Sequence, residues 1–437
     1  MKKSNTSKNL DRRNFLRMGA MGTACSVVAP GLIIASPGRG NPELPAPADW
    51  VPPVQLDYGE KDGIYMLTYS STTNSPTFER KMDIALSQDY IKGISHYMEW
   101  DKLEPVENEY DWRQLDLVFD RVKKYGKYCI IGFQAGVMAP RWLLERPIVK
   151  TVDFIHGNPG WTAWSTIKTP VELNGKTEVL SRMALPWDKE YNRCLEKTLQ
   201  AISDRYEGES CITNIGVCGP SASAGVEANF NVKFALSRAA NSRFDQELGY
   251  TLDKYVKAWK DSIDMHMRIF RHSRLCVGLH DEIGSSGYED DRIVYYSDEE
   301  QMDHARDIRD YFLDQFHKIR GMKGVVRNCG MSGRESWWGN NPDTIADKPA
   351  SDFTALQWEV RDRALIGYEA GAVSNKAAQG RDRVSLPVTD FERLVHNGIT
   401  GYGRYLEIKV LDIVDDMKPF ELYQPVLEEA ARIYGYM

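Results

Sequence analysis

Along the chain, short apolar runs alternate with longer stretches of helical periodicity. The apolar runs are residues 63–69 (GIYMLTY), 90–97 (YIKGISHY), 128–133 (YCIIGF), 212–218 (ITNIGVC), 275–280 (LCVGLH), 324–328 (GVVRN), 364–368 (ALIGY) and 403–410 (GRYLEIKV). Each has the length and character of a buried strand bounded by turn residues. Between them, residues 76–88, 112–125, 190–206, 252–270, 304–319, 352–363 and 390–397 read as helices. The second shows the pattern plainly, with Leu115, Val118, Phe119 and Val122 on one face. Eight strands in alternation with helices predict an α/β fold, a (β/α)8 TIM barrel with an enlarged loop after strand 3. That loop, roughly residues 137–187, is rich in Trp and Pro, and the acidic stretch 289–300 reads as a solvated excursion. A doubly wound open sheet is the rival fold, but no glycine-rich phosphate turn follows the first strand.

The first 56 residues fall outside this pattern. Arg12-Arg13-Asn14-Phe15-Leu16 precedes a mildly apolar run from Met18 to Ala35 that contains Pro30. This resembles a twin-arginine export signal, which implies the twin-arginine translocase as a partner during export and a periplasmic or secreted destination. Ala46-Pro47-Ala48 offers a cleavage site, and Cys25 is a weaker candidate for lipidation. The expected organisation is a signal peptide over 1–36, a Pro-rich linker over 37–56 and a catalytic barrel over 57–437. No later run approaches the ~20 apolar residues of a membrane span.

Composition changes the picture in three respects. The 437 residues suit one elaborated barrel or two ordinary domains, and the net charge of −7 argues against nucleic acid as a partner. The 11 Trp and 22 Tyr suit stacking on sugar rings as well as core packing. The 7 Cys show no CxxC pair and no His/Cys cluster, so neither a metal site nor a cofactor is expected, and Cys129, Cys218, Cys276 and Cys329 read as buried small hydrophobes.

In a barrel of this kind the chemistry sits at the C-terminal ends of the strands. The polar residues there are His96, Glu99, Gln134, Glu227, His280, Asp281, Glu282, Asn328, Glu369 and Glu407. The set is rich in carboxylates and offers no Ser or Cys nucleophile with a base. Two carboxylates across a barrel mouth are what glycosidic cleavage requires, one to protonate the leaving oxygen and one to attack or to activate water.

His96-Tyr-Met-Glu-Trp100-Asp-Lys-Leu-Glu-Pro105, followed by Glu109-Tyr-Asp-Trp112, resembles the second-strand signature of clan A glycoside hydrolases. Ala139-Pro140 with Trp142-Leu143 is similar to the clan's stretch after the third strand. Pro186-Trp187-Asp188, Tyr191 and Arg205-Tyr206 resemble the approach to the fourth strand in family 42 β-galactosidases. The resemblance implies a nucleophilic Glu ending the seventh strand, a position held here by Glu369 in Leu365-Ile-Gly-Tyr-Glu-Ala-Gly371. It also implies an acid/base Glu preceded by Asn at the end of the fourth strand, and here the chain departs. After Cys218 comes Gly219-Pro-Ser-Ala-Ser-Ala-Gly-Val226, and the first carboxylate is Glu227. Glu227 is either the acid/base on a lengthened loop or the first-turn carboxylate of a helix. Glu282 and Glu99 are the substitutes. Within the clan Glu104 supports its loop and does no chemistry.

His96, Gln134 and Asn328 are the expected contacts to sugar hydroxyls, with Glu282 beside them. Trp337 and Trp338, then Trp161 and Trp164, are the candidate stacking platforms. Arg327, with Arg141 and Arg334, is a candidate ligand for a sulfated or carboxylated sugar or a salt-bridge partner, and Glu407 fits a paired structural carboxylate equally well. The expected function is a retaining glycoside hydrolase acting on a β-linked carbohydrate, with galactose-containing or sulfated chains as candidates. A non-catalytic carbohydrate-binding protein on a degenerate barrel is the alternative, and a lyase or isomerase using His280 with Asp281 is a third reading.

Overall fold

The computed structural model describes residues 56–70, 76–155, 165–173, 175–219, 221, 227–228, 249–279, 286–331, 352–370 and 388–437. The expected signal and nearly all of the expected linker lie outside the described residues, as do Trp161, Trp164, His280, Asp281, Glu282, Arg334, Trp337 and Trp338. Eight strands form where the apolar runs lie: β1 Gly63–Tyr69, β2 Gly93–Glu99, β3 Tyr128–Gln134, β4 Ile212–Gly216, β5 Leu275–Leu279, β6 Val325–Met331, β7 Leu365–Ala370 and β8 Gly403–Lys409. Every neighbouring pair is parallel, β1 pairs with β8, and β5 pairs with β6, so the sheet closes on itself. The fold is a (β/α)8 TIM barrel.

The helices after each strand are α1 Pro76–Leu86, α2 Arg113–Lys124, α3 Lys189–Tyr206, α4 Leu252–Ile269, α5 Asp298–Arg320, α6 Asp352–Trp358, α7 Val388–Thr400 and α8 Gln424–Ile433. Their boundaries have local causes. Asp188 caps α3 by accepting from the backbone N–H of Glu190 and Tyr191 at 3.0 and 2.9 Å. α5 begins in a capping box between Ser297 and Glu300 and ends at Gly321, whose φ of 65° is the left-handed turn that glycine adopts freely. The acidic stretch 289–300 is therefore not all excursion. Asp298, Glu299 and Glu300 form the first turn of α5, where the helix dipole favours negative charge. Before them, Ser286–Glu289 and Arg292–Tyr295 form an antiparallel hairpin.

The long insertion after strand 3 also carries order. Thr151–Ile155, Lys168–Leu173 and Lys176–Ala184 form a three-stranded antiparallel sheet. Glu104 anchors the segment below it. Its carboxylate accepts from Trp100 Nε1 at 2.9 Å, Thr198 Oγ1 at 2.6 Å and the Asn108 N–H at 2.8 Å, and its carbonyl accepts from Trp142 Nε1 at 3.0 Å. A buried carboxylate so fully bonded is a joint between β2, α3 and the strand-3 loop.

Tyr65, Ile130, Cys276, Val325 and Tyr405 pack together in the barrel interior, one from each of five strands. This layer closes the lower barrel and fixes which residues face inward. Neighbouring glycines make room for the rings: a Cβ on Gly132 would lie 2.5 Å from Tyr97, and one on Gly367 would lie 2.2 Å from Tyr405. All six described cysteines are buried, and none forms a disulfide.

Candidate active site

Strand alternation from that interior layer selects the side chains that face the upper barrel. They are Tyr69 on β1, Ser95, Tyr97 and Glu99 on β2, Gln134 on β3, Arg327 and Cys329 on β6, Glu369 on β7, and Glu407 and Lys409 on β8. Hydrogen bonds across the barrel confirm the assignment. Glu407 accepts from Ser95 Oγ and Tyr97 OH, both at 2.9 Å, and stands 3.5 Å from Arg327 Nη1.

Glu227 reaches the same space by an interruption of β4. The ladder with β5 runs through Ile215↔Leu275 and Gly216↔Cys276, and the Val217 N–H still donates to the Cys276 carbonyl at 2.7 Å. The chain then leaves the sheet. It returns as Glu227–Ala228, paired in parallel with Gly278 and Leu279 of β5. The other edge of those two residues is occupied by Arg327 and Asn328 of β6. Glu227 therefore takes the place that residue 218 would hold if β4 continued. It lies on a strand and not in the first turn of a helix, which removes that reading.

The exit point is clamped by one turn of α4. Ser262 Oγ donates to the Cys218 carbonyl, and the Cys218 N–H donates to His266 Nε2 at 3.2 Å. His266 Nδ1 lies 2.8 Å from the Ser262 carbonyl, so it carries the proton and leaves Nε2 as the acceptor. The ring must be neutral, and burial pushes its pKa down to about 4.

At the mouth, a carboxylate oxygen of Glu227, one of Glu369 and the Cys329 Sγ lie within 4.8 Å of one another, and all three residues are buried. Tyr69 OH donates to Glu369 Oε1 at 3.2 Å. Arg327 lies beneath, with its Nε donating to Cys329 Sγ at 3.2 Å and its guanidinium 5.0 Å from the centre of the Tyr97 ring. Burial raises the Glu369 carboxyl to about 8. Arg327 and Lys409 oppose that rise, while the Glu227 and Glu407 carboxylates add to it. Glu407 is raised by the same burial against the pull of Arg327 and the Ser95 hydroxyl. Burial beside these carboxylates favours the neutral form of Glu369 at neutral pH.

Of the residues selected from the sequence, the structure brings Glu227, Glu369, Gln134 and Glu99 to the inner face. Four others do not take the places expected of them. His96 lies between the inward Ser95 and Tyr97, so it faces the helices. Its Nδ1 meets Thr68 Oγ1 at 2.9 Å, and burial pushes its pKa down to about 3. Asn328 pairs with Leu279 and Tyr368 on the helix side of the sheet. Arg327 is buried on Glu407 and is no rim ligand, and Arg141 is paired with Glu145 at 2.7 Å. Glu282, Trp337 and Trp338 lie outside the described residues. Tyr69, Tyr97, Ser95, Lys409 and Cys329 were missed. Tyr69 and Lys409 end their strands on the inward phase, a signal the sequence contained. Cys329 fell one residue past the expected end of β6. The expectation of no clustered metal ligands also needs correction, because Glu227, Cys329 and Glu369 come together from three separate segments.

Residues 81–153 match the family model of glycoside hydrolase family 42, β-galactosidase. Over that segment the chain resembles glycoside hydrolase family 42. The matched residues run from α1 through β2 and β3 into the insertion and include Trp100, Glu104 and Trp142. They stop short of Glu227 and Glu369. No curated protein matches the chain. Among solved structures, the chain is similar to a β-galactosidase from the haloarchaeon Halorubrum lacusprofundi, at 10% identity and a TM-score of 0.47, over 85% of this chain and 58% of that one. It is also similar to the catalytic domain of a β-amylase from Paenibacillus polymyxa, at 12% identity and a TM-score of 0.41, over 84% of this chain and 98% of that one. Xylanase 10B from Thermotoga maritima gives 9% identity and a TM-score of 0.44, over 85% and 97%. The chain thus spans little more than half the length of the β-galactosidase. No helix among the described residues is long and apolar enough to cross a membrane.

Two expectations arise from this geometry. Tyr69→Phe removes the hydroxyl bonded to Glu369 while keeping the ring packed against Tyr97, 5.4 Å away. A hydrogen bond to a charged group contributes about 1.5–3 kcal/mol, so kcat/KM should fall roughly 10–100-fold with little loss of stability. Steady-state kinetics and a thermal melt check both. His96 and His266 have folded pKa values below the unfolded value of 6.5. Their contribution to stability is complete above pH 6.5 and is lost as pH falls toward about 4 and then 3. Each ring contributes a slope of about 1.4 kcal/mol per pH unit in that window. Urea denaturation at pH 6 and pH 5 should therefore show a smaller pH slope in His266→Gln than in the parent, by about one ring's share.

Proposed function

We propose that the chain is a retaining β-glycosidase in which Glu369 forms the glycosyl–enzyme bond and Glu227 protonates the leaving oxygen and then activates water. The observation that carries this reading is the closeness of the two carboxylates, with oxygens within 4.8 Å. Retaining enzymes hold their carboxyl groups about 5–5.5 Å apart, whereas inverting ones leave about 6.5–9.5 Å for a water. Tyr69, Arg327 and Lys409 place a hydroxyl donor and positive charge on the Glu369 side, which offsets part of the rise that burial imposes on this carboxyl. Glu227, facing Glu369 across the mouth, is within reach of the leaving oxygen. Gln134, on the inner face with Oε1 buried and without a hydrogen-bond partner, supports a contact to a sugar hydroxyl.

The family match favours a β-linked, galactose-containing substrate. A sulfated substrate has less support, since Arg327 and Arg141 are engaged in ion pairs. The twin-arginine pattern supports export to the periplasm or beyond, with the translocase as the partner in that step. The test is a hydrolysis screen over aryl β-glycosides and neutral and sulfated galactans, with proton NMR of the first-formed anomer. The expected product keeps the β configuration. An α-anomer appearing first would refute retention, and saturable binding without turnover would replace the reading with a carbohydrate-binding protein.

A further inference from the structure

A thiol between two acid/base carboxylates has no task in glycosidic cleavage. Cys329 is buried, and Arg327 Nε donates to its sulfur. Burial and the surrounding carboxylates hold it as a thiol, against the pull of Arg327. With Glu227 and Glu369 it supplies one sulfur and two oxygens within 4.8 Å of one another. Three protein ligands of the Cys and carboxylate type, with a fourth position open to solvent or ligand, are the donor set of an open zinc site. A further inner-face group points to a polar occupant. Gln134 Oε1, at the level of Glu227, is buried without a hydrogen-bond partner. The charge balance agrees. Glu227, Glu369 and Glu407 are three buried carboxylates around one buried guanidinium, an excess of carboxylate that a cation would balance.

We propose that Glu227, Cys329 and Glu369 form a binding site for a thiophilic divalent cation of the Zn2+ or Cd2+ class, and that the cation blocks hydrolysis by occupying both carboxylates. Binding makes one metal–sulfur and two metal–oxygen bonds. These replace metal–water bonds, and the Cys329 thiol proton passes to solvent as the metal–sulfur bond forms. The binding half of the proposal stands on geometry alone, and only the inhibition rests on the glycosidase reading above.

Cd2+ is the probe, because a cadmium–thiolate bond absorbs in the ultraviolet by charge transfer. Titration of the full chain should give one equivalent of this absorption. Cys329→Ser should abolish it while the remaining cysteines stay in place. Glu227→Gln, which keeps the thiol, should weaken binding by at least about tenfold, since loss of a ligand costs no less than loss of a partner to one. Zn2+ should compete the cadmium signal away and should inhibit hydrolysis reversibly, with activity restored by a chelator. Absorption that persists in Cys329→Ser, or binding in Glu227→Gln equal to that of the parent, overturns the site. A one-equivalent signal in a chain that hydrolyses no glycoside keeps the site and removes the glycosidase reading. Cadmium binding that leaves an active enzyme uninhibited overturns the blocking role.

Discussion

Glu369→Ala is expected to lower kcat/KM on an aryl β-glycoside by about 10^4-fold or more, the scale of losing a covalent nucleophile. Azide should restore part of the rate, because it fits the space vacated on that face of the sugar and yields a glycosyl azide of inverted configuration. In Glu227→Ala, azide should instead attack the glycosyl–enzyme and give the retained configuration. The two products assign the roles independently of any rate, and a swap between the variants would exchange them. The parent's pH profile carries the same information. Glu369 is pushed up to about 8 by burial and by its carboxylate neighbours. A nucleophile must be ionised, so activity should rise with pH up to about 8. Folding should not suffer in Glu369→Ala, since the variant removes a carboxyl whose burial is unfavourable to its charged form.

Arg327→Met should destabilise the fold by about 3–5 kcal/mol, the cost of leaving buried charge without its partner. Arg327 touches Glu407, Cys329 and the face of Tyr97, and it is the buried cation that offsets Glu369. Without it the carboxyls rise further above their unfolded values. Stability is then fully present at low pH and is lost as pH climbs through those raised values. Urea denaturation at pH 5.5 and 8.5 should show the larger deficit at the higher pH, and Glu407→Gln in the same chain should recover part of it. An equal deficit at both pH values would assign Arg327 a packing role instead.

The hydrophobic pattern located all eight strands because each is buried on both faces and bounded by turn residues. Seven of the eight helices were legible from their amphipathic spacing, but α8, Gln424–Ile433, was not separated from the tail. The sheet in the strand-3 insertion was missed because its alternating residues sit among Pro and Trp that read as loop. At the site, Glu369 was legible as a carboxylate closing an apolar strand, and Glu227 only as the next carboxylate after a gap. The faces were harder to see. His96 and Asn328 end apolar runs as Glu369 does, yet they point outward. Inward and outward phases differ by a single residue, and the expected strand ends were off by up to three. Cys329 could not be found by spacing, because its partners lie on other strands and meet it only when the sheet closes.

The break in β4 has a consequence for how such an enzyme can change. The chain leaves the ladder at a carbonyl and an N–H held by Ser262 and His266, and it rejoins opposite Gly278. Both ends are pinned by the sheet and by α4, so the segment joining them can lengthen, shorten or change composition without carrying Glu227 away from Glu369. The length of that segment and the spacing of the two carboxylates are thereby uncoupled. The one can be remodelled by insertion and deletion while the other is inherited intact.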